Sequence, residues 1–293
     1  MSREMQVPGH PLPDEENRRE SVERTFATSL ANLDKAHALG LMLIERTDSF
    51  VTTPKRSETS GGIVMGLYWK ALKTVRAIRL VASADLQEDG LVLCRTLLET
   101  MVAILYVLER NAPHRADEFV ASMIMRTIWT MEEWQKTHGL KVQGRRIHRM
   151  CLKQKRPFER RLGAPRLEQL RRSYSGKSIK KTFEGLRLSK LYQTAYARLS
   201  THQHATDISS HVEFPAAGGI QLKTGSDPDQ MRLLLDLARL FFCAVMQRTS
   251  QEMEFGYLAD IEALKPEAKD LERVRLQHWK QRMKARHGES PRI

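Results

Sequence analysis

Aromatic residues and cysteine are scarce in this chain of 293 residues. Phe, Trp and Tyr make up only 6% of it, whereas Leu, Ala, Met, Arg, Lys and Glu dominate, which is typical of helices rather than sheets. The three cysteines, Cys94, Cys151 and Cys243, lie far apart in no CxxC spacing, so we expect reduced core thiols. Since 41% of the residues are hydrophobic, the chain can form a core, and the sequence predicts an all-α protein.

The sequence also lacks a long apolar segment. Residues 1–5 contain no apolar signal region, and the most apolar run, 97–108, is short and carries Glu99. We therefore expect a cytoplasmic protein that makes no membrane contact. There is no internal repeat and no clean linker. The expected organisation is a disordered leader at 1–13, one all-α domain at 14–287 and a tail at 288–293.

Apolar residues at helical spacing predict helices over 14–46, 63–84, 91–110 and 113–138, with a polar loop at 47–62 and a stop at Gly139. The third is apolar nearly all round, the pattern of a central buried helix. A short helix is expected at 179–185 and an extended segment at 220–223. Either Ser226 or Asp227, followed by Pro228, signals the start of a helix whose apolar stripe reaches about residue 264. Pro266 should open a last, charged helix.

Acidic residues are nearly absent from 141–190, which holds seventeen Lys or Arg against three Glu, a local excess of +14 in a chain of net charge +13. We expect a basic helical insertion of two short helices, broken at Pro157 and at 163–165, with an exposed cationic surface. Such a surface suits RNA or another polyanion, although a solvated face is the ordinary alternative. The candidate nucleic-acid contacts are Arg145, Arg146, Arg149, Lys153 and Lys155. Within this region the stacking surfaces would be Phe158, Tyr174 and Phe183.

The stretch 192–207 gathers polar, chemically capable side chains at the end of an apolar helix. Arg198 could hold a phosphate and His204 could transfer a proton, because histidine titrates near neutral pH. The alternative is that a histidine caps the helix and Arg198 faces water. Ser200 could position a ligand or bond the carbonyl one turn back. A metal set of His202, His204, Asp207 and His211 is a further, weaker alternative.

Arg95 and Glu99 lie four residues apart on the predicted central helix, where unpaired charges would be costly. They could form a salt bridge that fixes helix register, or they could orient His204 or Arg198 from a neighbouring helix. The two interpretations are compatible.

Two segments resemble a known family. Residues 93–100 and 104–108, together with Tyr196, Leu199, Ser200 and His204, resemble a bacterial all-helical family of unknown function with an arginine-to-glutamate helix and a tyrosine, leucine-serine, histidine helix end. That arrangement is similar to the HEPN (higher eukaryotes and prokaryotes nucleotide-binding) superfamily of helical bundles, which often dimerise. Its active members cleave RNA without a metal through an Arg-x(4–6)-His motif. Five residues separate Arg198 from His204, although Leu199 replaces the usual polar residue.

The resemblance implies an HEPN-like helical bundle that binds RNA, or a metal-independent ribonuclease, of a toxin or phage-defence system. In the enzyme, Arg198 and His204 would be catalytic, attack would come from a ribose 2′-hydroxyl, and no cofactor would be needed. The supporting residues would be Arg95, Glu99, Tyr196, Ser200 and His202. The resemblance also implies that the protein could form a homodimer. The alternative is a non-catalytic helical interaction module in which the Arg, Glu and His cluster is structural.

Overall fold

The structure, a computed structural model, describes residues 15–45, 58–109, 112–139, 146–201, 212–213, 221–222 and 227–266. The helices are α1 (Glu15–Thr25), α2 (Ala27–Glu45), α3 (Glu58–Ser83), α4 (Gln87–Leu108), α5 (Ala112–His138), α6 (Arg146–Leu162), α7 (Ala164–Leu170), α8 (Ile179–Gly185), α9 (Ser189–Leu191), α10 (Ala197–Thr201), α11 (Pro228–Met253) and α12 (Leu258–Ala263). A π-helical turn, Tyr192–Tyr196, joins α9 to α10. The all-α prediction is confirmed. One short antiparallel pair joins β1 (Val212–Glu213) to β2 (Gln221–Leu222). Only β2 lies in the extended segment expected at 220–223.

The core forms where α2, α3, α4 and α11 pack together. The central-helix prediction is confirmed, because α4 contacts α3, α5, α10 and α11, and its Cys94, Leu97 and Leu98 are fully buried. By length and composition α4 could cross a membrane, but 67% of its most apolar window is buried inside the protein. That burial is typical of the core helix of a soluble protein.

The predicted C-terminal boundary of the loop at 47–62 is wrong, because α3 already begins at Glu58. Ser60 is 1% exposed and Gly61 is buried, so the low helix propensity of these residues is overridden by packing against the bundle. Residues 47–57, like the expected leader, the tail and the helix after Pro266, lie outside the described residues.

Two predicted helices prove to be divided. The first is interrupted at Phe26, although backbone bonds from Phe26 N to Val22 O and from Leu30 N to Phe26 O, each 2.9 Å, keep α1 and α2 nearly continuous. The second, α11, ends at Met253 instead of near residue 264. The chain turns there because Glu254 adopts a left-handed conformation, with φ of 56°.

A second layer packs on α5. Ala121 and Met125 meet Leu167 and Leu170 of α7, and Ile124 and Ile128 meet Cys151 of α6. All three cysteines are buried and free, as predicted. Burial raises the pKa of the Cys243 thiol to about 12, so this thiol stays protonated and unreactive near neutral pH.

Pro157 does not break the basic region, and α6 runs through it to Leu162. A proline removes one amide donor, which leaves the carbonyl four residues earlier without its helical bond. That residue is Lys153, which is exposed, so water can satisfy its carbonyl. The break at 163–165 is confirmed, since Gly163 has φ of 80° and separates α6 from α7.

Candidate functional site

The charged pair on α4 is bonded to the helix that carries the motif. Arg95 Nε donates to Glu99 Oε1 at 3.2 Å, and Arg95 Nη2 donates to the Tyr196 hydroxyl oxygen at 2.7 Å. The Tyr196 hydroxyl in turn donates to Glu99 Oε1 at 3.0 Å. The Arg95 guanidinium carbon also lies 4.9 Å from the centre of the Tyr196 ring. Arg95, Glu99 and Tyr196, hereafter the tether, form a closed triangle of hydrogen bonds.

Arg95 and Glu99 form the expected salt bridge and also bond Tyr196 on the neighbouring helix. That they orient Arg198 or His204 stays a prediction. The Glu99 side chain remains 41% exposed, so the tether reaches the surface. Within the described residues, Arg95 Nη1 is buried without a hydrogen-bond partner.

Aromatic rings hold Tyr196 from its other side. Tyr192 stacks on it with ring centres 5.2 Å apart and an interplanar angle of 17°, and Phe183 of α8 lies 5.4 Å away. Burial is the main reason that the pKa of Tyr196 is raised. The bond from Arg95 lowers that pKa and the charge of Glu99 raises it, and the net direction is upward. The phenol therefore remains a neutral donor near physiological pH.

The motif helix ends in α10. Leu199 is fully buried, so the core requires an apolar residue at this position. The Ser200 hydroxyl donates to the Tyr196 carbonyl at 2.7 Å, the bond one turn back that was the ordinary expectation. Arg198 is partly buried, and since two helical residues span about 200°, it lies on the side of the helix opposite Tyr196.

The remaining predicted site residues follow α10. His202, His204, Asp207 and His211 lie outside the described residues, so the distance from Arg198 to His204 stays a prediction. Across the described ranges, no group of three or more His, Cys, Asp or Glu side chains is placed to hold a metal ion.

Within the basic region, α6 carries five exposed cations on one face. Arg146, Arg149, Lys153, Arg156 and Arg160 follow one another at intervals of three or four residues and are all exposed. Because a helix turns about 100° per residue, these five side chains share one face, hereafter the cationic stripe. Its backbone length is about 21 Å at about 1.5 Å per residue. Arg156 and Arg160 were not among the predicted residues, although their spacing from Lys153 was the signal that could have placed them on this face.

Some other cations of the basic region are paired with acidic residues. Lys155 points away from the stripe and lies 3.7 Å from Glu159, so it is not part of the stripe, and its contact with RNA stays a prediction. Arg161 binds Asp117 and Arg166 binds Glu118, which fastens α6 and α7 to α5. Arg145 precedes α6 and lies outside the described residues. Exposed cations also follow α7, so the cationic stripe is one part of the exposed cationic surface.

The predicted stacking surfaces are mostly covered. Phe183 is fully buried, Tyr174 packs between Tyr106 and Phe119, and Arg161 lies 4.7 Å over the Phe158 ring. Exposed indoles occur instead on α5, where Trp129 and Trp134 are 40% and 57% exposed. They were missed because they precede the basic segment in the sequence.

Comparison with known proteins gives one family. The model of a Family of unknown function (DUF5677) matches residues 62–218, more than half of the chain, and this span contains the tether and the cationic stripe. Neither the curated proteins nor the solved structures give a match. The chain belongs to the DUF5677 family.

Proposed function

We propose that the chain is an HEPN-like, cytoplasmic RNA-binding protein that holds the phosphate backbone of RNA on the cationic stripe of α6. The stripe is the observation that carries the proposal. Five exposed cations on one helix face release counterions when they neutralise phosphates, which gives affinity without sequence recognition. Among the residues described, no acidic side chain pairs with any of the five. Their full charge is available to a polyanion.

Metal-independent RNA cleavage is the catalytic form of this proposal, and the tether supports it. By bonding Tyr196 to Arg95 and Glu99, the protein positions the helix end from which Arg198 projects. Arg198 would then stabilise the charge on the scissile phosphate, and His204 would accept the proton of the attacking 2′-hydroxyl. A toxin or phage-defence system is the setting that fits such an activity.

A non-catalytic interaction module is the second candidate. Its supporting observation is that the hydrogen bonds of Arg95 go to Glu99 and Tyr196, which a purely structural cluster also requires. The exposure of Glu99 argues against it, since a sealed cluster would leave no part of the carboxylate in solvent.

The cationic stripe is tested by removing charge from one face of α6 at a time. In the triple variant Arg149→Gln, Lys153→Gln and Arg156→Gln, we expect weaker RNA binding and a slope of log affinity against log salt smaller by about three, one for each phosphate contact. Fluorescence anisotropy of a labelled RNA over a salt series measures both. Lys155→Gln is the matched control, because it removes one charge from the opposite face, and it should change neither quantity. Salt-independent binding by the unmodified protein would contradict the proposal.

A further inference from the structure

A groove on the outer face of α5 has the size of a small-ligand site. Its volume is about 470 Å³, and its apolar walls come from Phe119, Met123, Met131 and Tyr174. Ligand pockets commonly occupy about 300 to 1,000 Å³ and have mostly apolar walls with a few polar groups. Met123 is 57% exposed, so an apolar surface that is costly in water remains open here.

One cation borders this groove. Arg126 lines it and is exposed, and no carboxylate of the described residues forms an ion pair with it. By contrast, Arg115 on the same helix binds Glu109 at 2.7 Å. A guanidinium beside an apolar wall suits a ligand with a flat apolar part and an attached anionic group.

The hydroxyl groups of the groove favour a ligand that donates hydrogen bonds. Ser122 donates to the Phe119 carbonyl at 2.8 Å, and Thr127 donates to the Met123 carbonyl at 2.9 Å. Because their protons are engaged in the helix, both oxygens can only accept from a ligand. An amino group attached to an aromatic ring is a donor of the required kind.

Tyr174 forms the inner wall of the groove. Its ring lies 5.5 Å from Phe119 inside the groove and 5.3 Å from Tyr106 on the other side. Burial chiefly raises the pKa of Tyr174, and the charges of Glu99 and Tyr196 raise it further. The phenol therefore stays neutral near physiological pH, so this wall of the groove carries no charge.

We propose that this groove holds one unpaired nucleotide of the bound RNA, with its base against Phe119 and Tyr174 and its phosphate at Arg126. The inference rests on the proposed RNA binding and adds a base preference to it. Adenine and cytosine carry an exocyclic amino group that can donate to Thr127. The exocyclic groups of uracil are both carbonyls, which can only accept hydrogen bonds. Adenine-rich or cytosine-rich RNA should bind better than uracil-rich RNA.

The test follows methionine methyl groups by NMR while an eight-nucleotide oligoadenylate is added to protein labelled with ¹³C-methyl methionine. The Met123 and Met131 signals should shift on binding. Met42 on α2 is the control, because it is 47% exposed and does not line the groove, and its signal should stay in place.

Two variants complete the test. Arg126→Gln should weaken oligoadenylate binding about tenfold, the effect of losing one charge-assisted hydrogen bond. Arg76→Gln removes the same charge from an exposed position on α3 and should change binding less than about twofold, since surface charges are worth little singly. Thr127→Val should abolish the preference for oligoadenylate over oligouridylate.

The outcomes separate the two proposals. If oligoadenylate binds while the Met123 and Met131 signals stay in place, or if Arg126→Gln binds as tightly as Arg76→Gln, the groove does not hold the nucleotide and RNA binding on α6 still stands. If neither oligonucleotide binds the unmodified protein, RNA binding itself is wrong and the groove assignment falls with it.

Discussion

Arg95 donates a hydrogen bond to the Tyr196 hydroxyl at 2.7 Å although the two residues lie 101 positions apart in the chain. Arg95 comes from the centre of α4 and Tyr196 from the last residue of the π-helical turn. The residues that carry the family resemblance in two distant segments thus meet in one hydrogen-bonded group. Their shared role in the structure is to fix the direction in which α10 leaves the bundle.

Tyr196→Phe should destabilise the protein by about 1 to 3 kcal/mol, because it leaves Arg95 and Glu99 without a shared partner in a partly buried place. The ring stays, so its stacking is preserved. Urea unfolding followed by circular dichroism measures the change. Tyr192→Phe is the matched control, since the Tyr192 hydroxyl makes no hydrogen bond to the described residues, and it should cost less than about 0.5 kcal/mol. Equal effects of the two changes would contradict the role of the tether.

If His204 transfers the proton, His204→Ala should abolish RNA cleavage while leaving the melting temperature nearly unchanged, because a side chain that acts only on the substrate contributes little to stability. Cleavage of a labelled RNA in the presence of a chelator measures the activity without metal. His202→Ala is the control and should keep activity, since the predicted register with Arg198 belongs to His204. A fully active His204→Ala protein, or an inactive wild type, would favour the interaction module.

Gly40→Ala should destabilise the protein by about 1 to 3 kcal/mol through overpacking. A Cβ at this position of α2 would lie 2.7 Å from the Phe242 ring and 2.8 Å from a Leu72 methyl group, in the middle of the core. Gly66→Ala on α3 is the matched change, because no atom lies within 4 Å of its Cβ. It should stabilise the protein by about 0.5 to 1 kcal/mol, the gain in helix propensity. Thermal denaturation of both variants measures these changes in stability. A Gly40→Ala protein as stable as the unmodified one would show that α2 is packed loosely.

The stability of the protein should decrease as the pH falls below about 6.5, the usual pKa of histidine in an unfolded chain. Burial lowers the pKa of His37, the charge of Arg76 lowers it further, and Asp34 opposes the change. The unfolded chain then binds a proton at a pH where folded His37 stays neutral, so acid favours unfolding in the window between the two pKa values. In His37→Gln, the urea concentration at the unfolding midpoint should change less with pH across this window. If the pH dependence of stability were unchanged in that variant, titratable residues other than His37 would cause the loss of stability in acid.

Local signals predicted several elements well. Asp227 caps α11 by accepting from Asp229 N at 2.9 Å, Gly139 ends α5 with φ of 64°, and the short helix at 179–185 has its predicted bounds. Such signals act within one turn of helix, so a single sequence contains them. The burial of α4 could also be predicted from the sequence, because a helix that is apolar on every side must be buried.

Features that depend on a neighbouring element could not be predicted. Helix propensity places Gly61 in a loop, but contacts with the bundle keep it in α3. The sequence also shows Arg95 and Glu99 as a pair without indicating that Tyr196 would complete it. Lys155 differs from Lys153 only by its side of α6, and that difference has meaning only once the face of α6 against α5 is known. These errors come from tertiary context rather than from the local pattern.

The π-helical turn at Tyr192–Tyr196 makes the direction of Arg198 depend on chain length. Such a turn arises when a helix accommodates one extra residue. Removing one residue here, such as the exposed Thr194, would restore regular α-helix and rotate α9 against α10 by about 100°. After this rotation, the stacking of Tyr192 on Tyr196 and the present direction of Arg198 could not both be kept. The direction of Arg198 therefore depends on the number of residues in this turn as well as on their identity.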